Sequence, residues 1–266
     1  MRRADAQTVR LRATVAFDGT NYAGWQFQQS GVAVQGVIEA ALARLFPSGP
    51  RVHGSSRTDS GVHALGLVAH FDVPAAEFRL TPAKLLLAIN AHLPEDVRVM
   101  QVHRARPAFH ARFDATGKQY RYFVWNAAAL NPLLRQQAWH VPRALELDAM
   151  RGATRLFVGT HDFRAFTANR GVPLEDAVRT VTRCEVRRRG PLLTFVLEGT
   201  GFLYKMCRAI VGTLVQLGQG KLDADDLRRI LDSRDRRTAG MTAPAHGLVL
   251  WKVTYRKGKG ERGHPK

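Results

Sequence analysis

The sequence predicts an α+β fold: two ferredoxin-like β-α-β-β-α-β halves whose antiparallel sheets join side by side, with a cleft between them. Three observations carry this. Period-two apolar alternation and helix-spaced apolar stripes follow one another as strand, helix, strand, strand, helix, strand. That order then occurs a second time. A basic, proline-bearing break, Arg104-Ala105-Arg106-Pro107, separates the two series. The repetition lies in the order of elements; the residues themselves do not repeat. The boundaries expected are a flexible N-terminus at 1–8, a first half at 9–106, a second at 107–256, and a basic flexible tail at 257–266.

The first strand is 9–17, where Val9, Leu11, Ala13, Val15 and Phe17 share a face. Asp18-Gly19-Thr20-Asn21 ends it with turn chemistry. Val34, Val37, Ile38, Ala41, Leu42 and Leu45 then fit one helix face. A glycine-punctuated stretch follows at 54–66 and leads into a strand at 66–73. Thr81-Pro82 reads as an N-cap with proline at N1, opening a helix with Leu85, Leu86, Ile89 and Leu93. The first half closes on a strand at 97–103.

The second half opens with a strand at 118–125 and a helix at 145–158, spaced by Leu147, Met150, Ala153, Leu156 and Phe157. A strand at 180–187 turns at Arg188-Arg189-Gly190-Pro191 into another at 192–198. A helix is expected over 202–217, with Phe202, Met206, Ile210 and Leu214 on one stripe. Asp223 caps a shorter helix bearing Leu227, Ile230 and Leu231, and 248–255 is the closing strand.

Composition narrows the function classes. The 266 residues, 45% of them hydrophobic, suffice for a real core. No apolar run reaches the length of about 18 residues that a membrane helix needs. No apolar segment follows Met1-Arg2-Arg3, so no secretory leader is expected. Cys184 and Cys207 form neither a CxxC pair nor a zinc set, which suits a reducing, cytoplasmic setting. Forty Lys and Arg against 22 Asp and Glu give a net charge of +18. With a pI near 11.0, that excess points to a polyanionic partner. Nucleic acid is favoured over an anionic membrane, because no basic amphipathic helix stands out.

The chain carries no phosphate loop, dinucleotide fingerprint, HExxH or nucleophile elbow. What remains is carboxylate or water chemistry without a metal or organic cofactor. The stretch Ser56-Arg57-Thr58-Asp59-Ser60-Gly61-Val62-His63-Ala64 offers it. An Asp in such a setting often serves only to shape a turn. Arg57 beside it favours the ionised carboxylate, and an ionised, partly shielded carboxylate is a nucleophile rather than a general acid. Arg57 itself suits a phosphate contact or a wedge into the gap left by an extruded base. His63 reads as a local hydrogen-bonding residue. Asp18, Asp114 and Asp162 are the rival carboxylates.

That stretch resembles the G-R-T-D-[AS]-G-V-H-A signature of the tRNA pseudouridine synthase A family, with Ser56 where many members have glycine. Phe17-Asp18-Gly19-Thr20-Asn21-Tyr22-Ala23-Gly24-Trp25-Gln26-Phe27-Gln28 is similar to its N-terminal Y-D-G-x-x-Y-x-G-W-Q-x-Q. Phe109-His110-Ala111-Arg112-Phe113 and Lys118-Gln119-Tyr120-Arg121-Tyr122 are similar to its F-x-A-R-[FY] and [KR]-x-Y-x-Y. Residues 201–212 resemble its F-x-x-x-M-V-R-x-I-V-G helix, with Cys207 at a valine position. Residues 243–250 resemble its A-P-A-x-G-L-x-L ending, so the likeness spans about 9–255.

The resemblance implies isomerisation of uridine to pseudouridine at positions 38, 39 and 40 of the tRNA anticodon arm. It implies Asp59 as the nucleophile that attacks the target nucleoside. It implies Tyr120 stacked on the base and placed to take the C5 proton, and Arg208 paired with Asp59. Phe202 and Leu248 are expected to line the pocket. The target base must leave its stack, at a cost of a few kcal/mol. Stacking on an aromatic returns about 1–3 kcal/mol. No metal or organic cofactor is implied, and the partners implied are tRNA and a second copy of the chain. Two other classes stand beside this at the level of sequence. One is a non-catalytic RNA-binding module on a similar sheet. The other is a metal-dependent nuclease, for which Asp18 is the nearest second carboxylate.

Overall fold

The structure, a computed structural model, describes residues 7–28, 31–168 and 174–256. Of the N-terminus expected at 1–8, residues 1–6 lie outside the described residues, as does the tail expected at 257–266, while Thr8 already belongs to the first strand. The first half consists of β1 (Thr8–Phe17), α1 (Val34–Ala43), the two-residue β2 (His53–Gly54), β3 (His63–Pro74), α2 (Pro82–Ala91) and β4 (Val97–Arg104). The second consists of β5 (Ala115–Trp125), the short β6 (Trp139–His140), α3 (Leu147–Thr154), β7 (Gly159–Asp162), β8 (Val178–Arg189), β9 (Leu192–Gly199), α4 (Met206–Gly218), α5 (Ala224–Ser233) and β10 (Leu248–Tyr255).

All ten strands form one sheet, in the path β4-β1-β3-β10-β5-β9-β8-β7. With β2 on β3, the first half runs fourth, first, third, second strand. The second half repeats that order as β10, β5, β9, β8, with β7 added outside. Within each half the main strands pair antiparallel, as expected. The seam is different. There β3 and β10 pair in parallel, His63 opposite Val249 and Ala64 opposite Leu250. Because β2 covers only the far end of β3, at Ala69 and His70, the near end is free to accept β10.

One face of the sheet is covered and the other is open. Along β1, Leu11, Ala13, Val15 and Phe17 are buried while Arg10, Arg12 and Thr14 are half-buried. The same alternation in β5 buries Tyr120, Tyr122 and Val124. A single hydrophobic core runs beneath the helices of both halves, from Leu11 and Ile38 to Ile210 and Ile230.

The helix caps form as the sequence indicates. The Thr81 hydroxyl accepts from Lys84 N, with Pro82 following it. Asp223 and Asp226 exchange side-chain-to-backbone hydrogen bonds as a capping box. Other boundaries shift. The helix expected at 145–158 ends at Thr154 and continues as a 3-10 turn over Arg155–Phe157. The helix expected from Phe202 begins at Met206, because Lys205 sits in the left-handed region at φ 59°. Phe202 therefore belongs to a loop and turns its ring to the sheet instead of extending the helix stripe. The strand expected from Gly66 begins at His63. Gly66 is a point of close approach inside the strand rather than a turn: a Cβ there would lie 2.5 Å from the Trp251 carbonyl oxygen of β10.

Candidate active site

The loop before β3 is built on the segment that follows β1. Trp25 N donates to Thr58 O, and Gly61 N and the Ser60 hydroxyl both donate to Tyr22 O. The Tyr22 hydroxyl donates in turn to Asp96. Gly24 permits this contact. Its φ is +93°, and a Cβ there would sit 2.3 Å from Thr58 O. His63 ties down the other end. Its Nδ1 accepts from Gly19 N at 3.0 Å and its Nε2 lies 3.0 Å from the His246 carbonyl, which it reaches as a donor. The local hydrogen-bonding role expected of His63 is what it performs. The two sequence stretches resembling family signatures thus meet as platform and loop.

Asp59 faces the seam, where α4 arrives from the second half. Arg208, in the first turn of α4, donates from Nη1 to Asp59 Oδ2 at 3.1 Å. Its Nε donates to Ala243 O at 2.7 Å, which fixes the guanidinium plane. The two side chains are 13% and 17% exposed, so the pair is shielded but open to a ligand. Tyr120 stands beside it on β5, 8% exposed, with Phe202 edge-on at 5.3 Å between ring centroids. Burial, then Cys207 and Asp59 nearby, push the phenol well above its ordinary pKa, so it is neutral in the ligand-free cleft. Leu248 of β10 is buried in the same wall.

These residues line a cavity of about 830 Å³. Asp59, Tyr120, Arg57, Phe202 and Leu248 are all part of its wall, and Arg208 is bonded to it through Asp59. Ser56 and Thr58 also line it, their hydroxyls buried and, among the described residues, without a hydrogen bond of ordinary geometry. Ser56 holds an ordinary negative φ, so the residue at the family's glycine position fits the loop without strain. Around the rim stand Arg57, Arg112, Lys118, Arg164, Arg179, Lys205, Arg234, Arg236 and Arg237. Against them the cavity has two acids: Asp59, held by Arg208, and Asp235, held by Arg237. The volume suits a nucleotide, and the charge suits its backbone.

The rival carboxylates are occupied elsewhere. Asp18 accepts from Thr20, lies 3.1 Å from His63 Nδ1 and lines a separate cavity. Asp114 accepts from Arg106 and His110 N, and Asp162 from Arg164 N. No group of three His, Cys, Asp or Glu among the described residues has metal-binding geometry. Sequence reasoning passed over Lys118, Arg179 and the run from Arg234 to Arg237. Lys118 carried a usable signal, since it is in phase with Tyr120 on an alternating strand.

A shielded carboxylate held by a guanidinium thus stands beside an aromatic wall in a cationic cleft. The family described as tRNA pseudouridine synthase matches residues 13–114 and 153–256. The chain is 46% identical to the tRNA pseudouridine synthase A of Geobacillus kaustophilus, over 93% of its own length and 95% of the relative's. It is 44% identical to the protein of that name from Brevibacillus brevis, over 92% and 99% of the two chains. It is 40% identical to that of Methylacidiphilum infernorum, over 93% and 96%. The chain belongs to the tRNA pseudouridine synthase family, isomerases that act on uridines of tRNA.

Proposed function

We propose that this chain converts uridine to pseudouridine at positions 38, 39 and 40 of the tRNA anticodon arm, with Asp59 as the nucleophile. The observation that carries the catalytic assignment is the Asp59–Arg208 pair, set beside Tyr120 at the seam of the two halves. The anticodon arm is supported by the signature around Asp59 and by relatives that carry the name tRNA pseudouridine synthase A. In this reading the extruded uridine enters with its ring against Tyr120. Arg57, exposed at the mouth, fills the gap left in the RNA stack or holds a phosphate. Asp59 attacks the nucleoside and the C1′–N1 bond breaks. The uracil turns, the carboxylate is released, and a C5–C1′ bond forms.

The C5 proton must then leave to restore the ring. A neutral phenol accepts it only if its own proton departs in the same step. Asp59, whose charge Tyr120 feels, is the acceptor in the cleft. The balance closes with C5–H broken, the Tyr120 hydroxyl regenerated, and the proton passed from Asp59 to the freed N1, which completes pseudouridine and returns the carboxylate. Phe202 holds the Tyr120 ring edge-on, and Leu248 closes the apolar side. No step calls on a cofactor.

The test is release of tritium from tRNA carrying 5-tritiated uridine, followed by mapping of the modified positions. Stoichiometric release with modification confined to 38–40 is expected. Release from another arm overturns the positional assignment. Binding to tRNA should fall by about 10³-fold or more between roughly 50 and 200 mM salt, as phosphate-dominated docking requires.

A homodimer in the cytoplasm completes the proposal. Its support is the open face of the sheet, where Leu65 and Met100 are 51% and 55% exposed. They border a second cavity, of about 500 Å³, that also contains Phe123, Val249 and Trp251. No helix among the described residues is long and apolar enough to cross a membrane. Light scattering of the wild type and of Met100→Lys tests this surface: a dimer that dissociates in the variant is expected, and an unaltered dimer rules the surface out.

A further inference from the structure

Lys118 differs from the other cations of the cleft. It lies on β5 two residues before Tyr120, so both side chains leave the same face of the strand into the same cavity. It is half-buried, and its ammonium makes no hydrogen bond or ion pair with another described residue. Its backbone neighbours are Gly199 of β9 and Val253 of β10, both uncharged. The charged groups that share its cavity are Arg112, from the segment before β5, Arg57 and Asp59, from the loop before β3, Arg179 of β8, and Arg164, Lys205, Arg234, Asp235, Arg236 and Arg237 farther along the chain. Asp59 is already held by Arg208. Burial, and then repulsion by Arg112, push the Lys118 ammonium down to about 8. An ammonium withdrawn from water beside a second cation is costly until an anion is placed against both.

We propose that Lys118 and Arg112 form a phosphodiester subsite that holds one of the two backbone phosphates flanking the target uridine. The proposal rests on the reading of this cleft as the tRNA site. Residues two apart on a strand stand about 7 Å from one another. A base stacked on Tyr120 therefore has its own phosphates within the sweep of the lysine stem. Arg112 offers a planar fork and Lys118 a point charge, the two complementary ways of meeting phosphate oxygens. Phosphate binding raises the pKa of Lys118, so near pH 8 and above association takes up a proton and affinity declines.

The experiment uses the full-length protein and a synthetic anticodon-arm RNA in which the linkage 5′ or 3′ of the target uridine is an uncharged methylphosphonate. Wild-type protein should lose about tenfold in affinity on one of the two modified RNAs and little on the other. Lys118→Met should weaken binding of unmodified RNA to a similar extent, raise KM with kcat within about twofold, and reduce the salt slope by about one. It should show no further loss on the methylphosphonate RNA. Lys118→Arg should bind like wild type at pH 7 and hold that affinity to pH 9, where wild type weakens. A folded Lys118→Met with an unchanged salt slope, or with the full methylphosphonate penalty intact, overturns the subsite. If Lys118→Met does not fold, a wild-type pH profile in Lys118→Arg overturns it equally. Wild-type protein that binds unmodified RNA without converting it overturns the active-site reading, and the binding arms still decide the subsite.

Discussion

Arg208 reaches Asp59 across 149 positions of sequence, Nη1 to Oδ2 at 3.1 Å, and this contact joins the two halves at the site. Its removal strands a shielded carboxylate. Arg208→Met should therefore cost about 1–3 kcal/mol of stability as well as activity. The double variant Asp59→Asn/Arg208→Met should regain most of that stability while remaining inactive. Denaturant unfolding of the single and double variants measures the coupling. Strict additivity of the two losses would show that the pair does no structural work.

Asp59→Asn keeps the volume of the side chain and an oxygen for Arg208 but loses the carboxylate proposed as the nucleophile. Tritium release from 5-tritiated tRNA should fall by at least about 10³-fold. The affinity for tRNA should change by less than about threefold, because the phosphate contacts lie on other residues. Filter binding and single-turnover kinetics on the same preparation separate the two. Turnover within tenfold of wild type would falsify the assignment of Asp59.

Much of this site is legible in the amino-acid sequence. Alternation along 118–125 sets Tyr120 in phase with the apolar face of its strand, and the signature around Asp59 locates the carboxylate. The order of elements yields the two halves and puts the cleft between them. Three things are not legible, each because it depends on contacts distant in sequence. The parallel seam at His63 and Ala64 depends on β2 being too short to cover β3. The start of α4 depends on the left-handed Lys205, which no apolar spacing reveals and which moves Phe202 from a helix stripe to the wall beside Tyr120. Asp18, a turn residue by sequence, faces His63 and a second cavity rather than Asp59, which only the folded platform decides.

The platform beneath the loop that carries Asp59 is a sharper target than the loop itself. Gly24 does not line the cleft, yet a Cβ there would lie 2.3 Å from Thr58 O and 3.1 Å from the Asp59 carbonyl carbon. At φ +93° an alanine is strained even without the clash. Gly24→Ala should push the loop off its platform and lower kcat by about 10²-fold, since displacements near 1 Å carry penalties of that size. Melting temperature and kcat should fall together, with tRNA affinity less affected. Wild-type kcat in this variant would mean that the Thr58 carbonyl moves without carrying Asp59.

Acid should loosen the first half through a buried histidine. His70 on β3 is buried, stacked on His53 at 5.0 Å and edge-on to His110 at 4.7 Å. Its Nδ1 accepts from Ala111 N. Burial, and then the charges of His110, His53 and Arg10, push it down to about 4, with Asp72 opposing. A histidine whose folded pKa lies below its unfolded value binds fewer protons folded than unfolded. Its contribution is intact above about pH 6.5 and is lost as pH falls toward 4, on the order of 2–3 kcal/mol over that window. His110, also lowered, acts with the same sign. His70→Asn retains an acceptor for Ala111 N but cannot protonate. Its unfolding free energy should therefore decline less between pH 6.5 and 4.5 than that of the wild type, the remaining slope coming from His110. Parallel pH profiles for the two proteins would assign the acid sensitivity to the carboxylates instead.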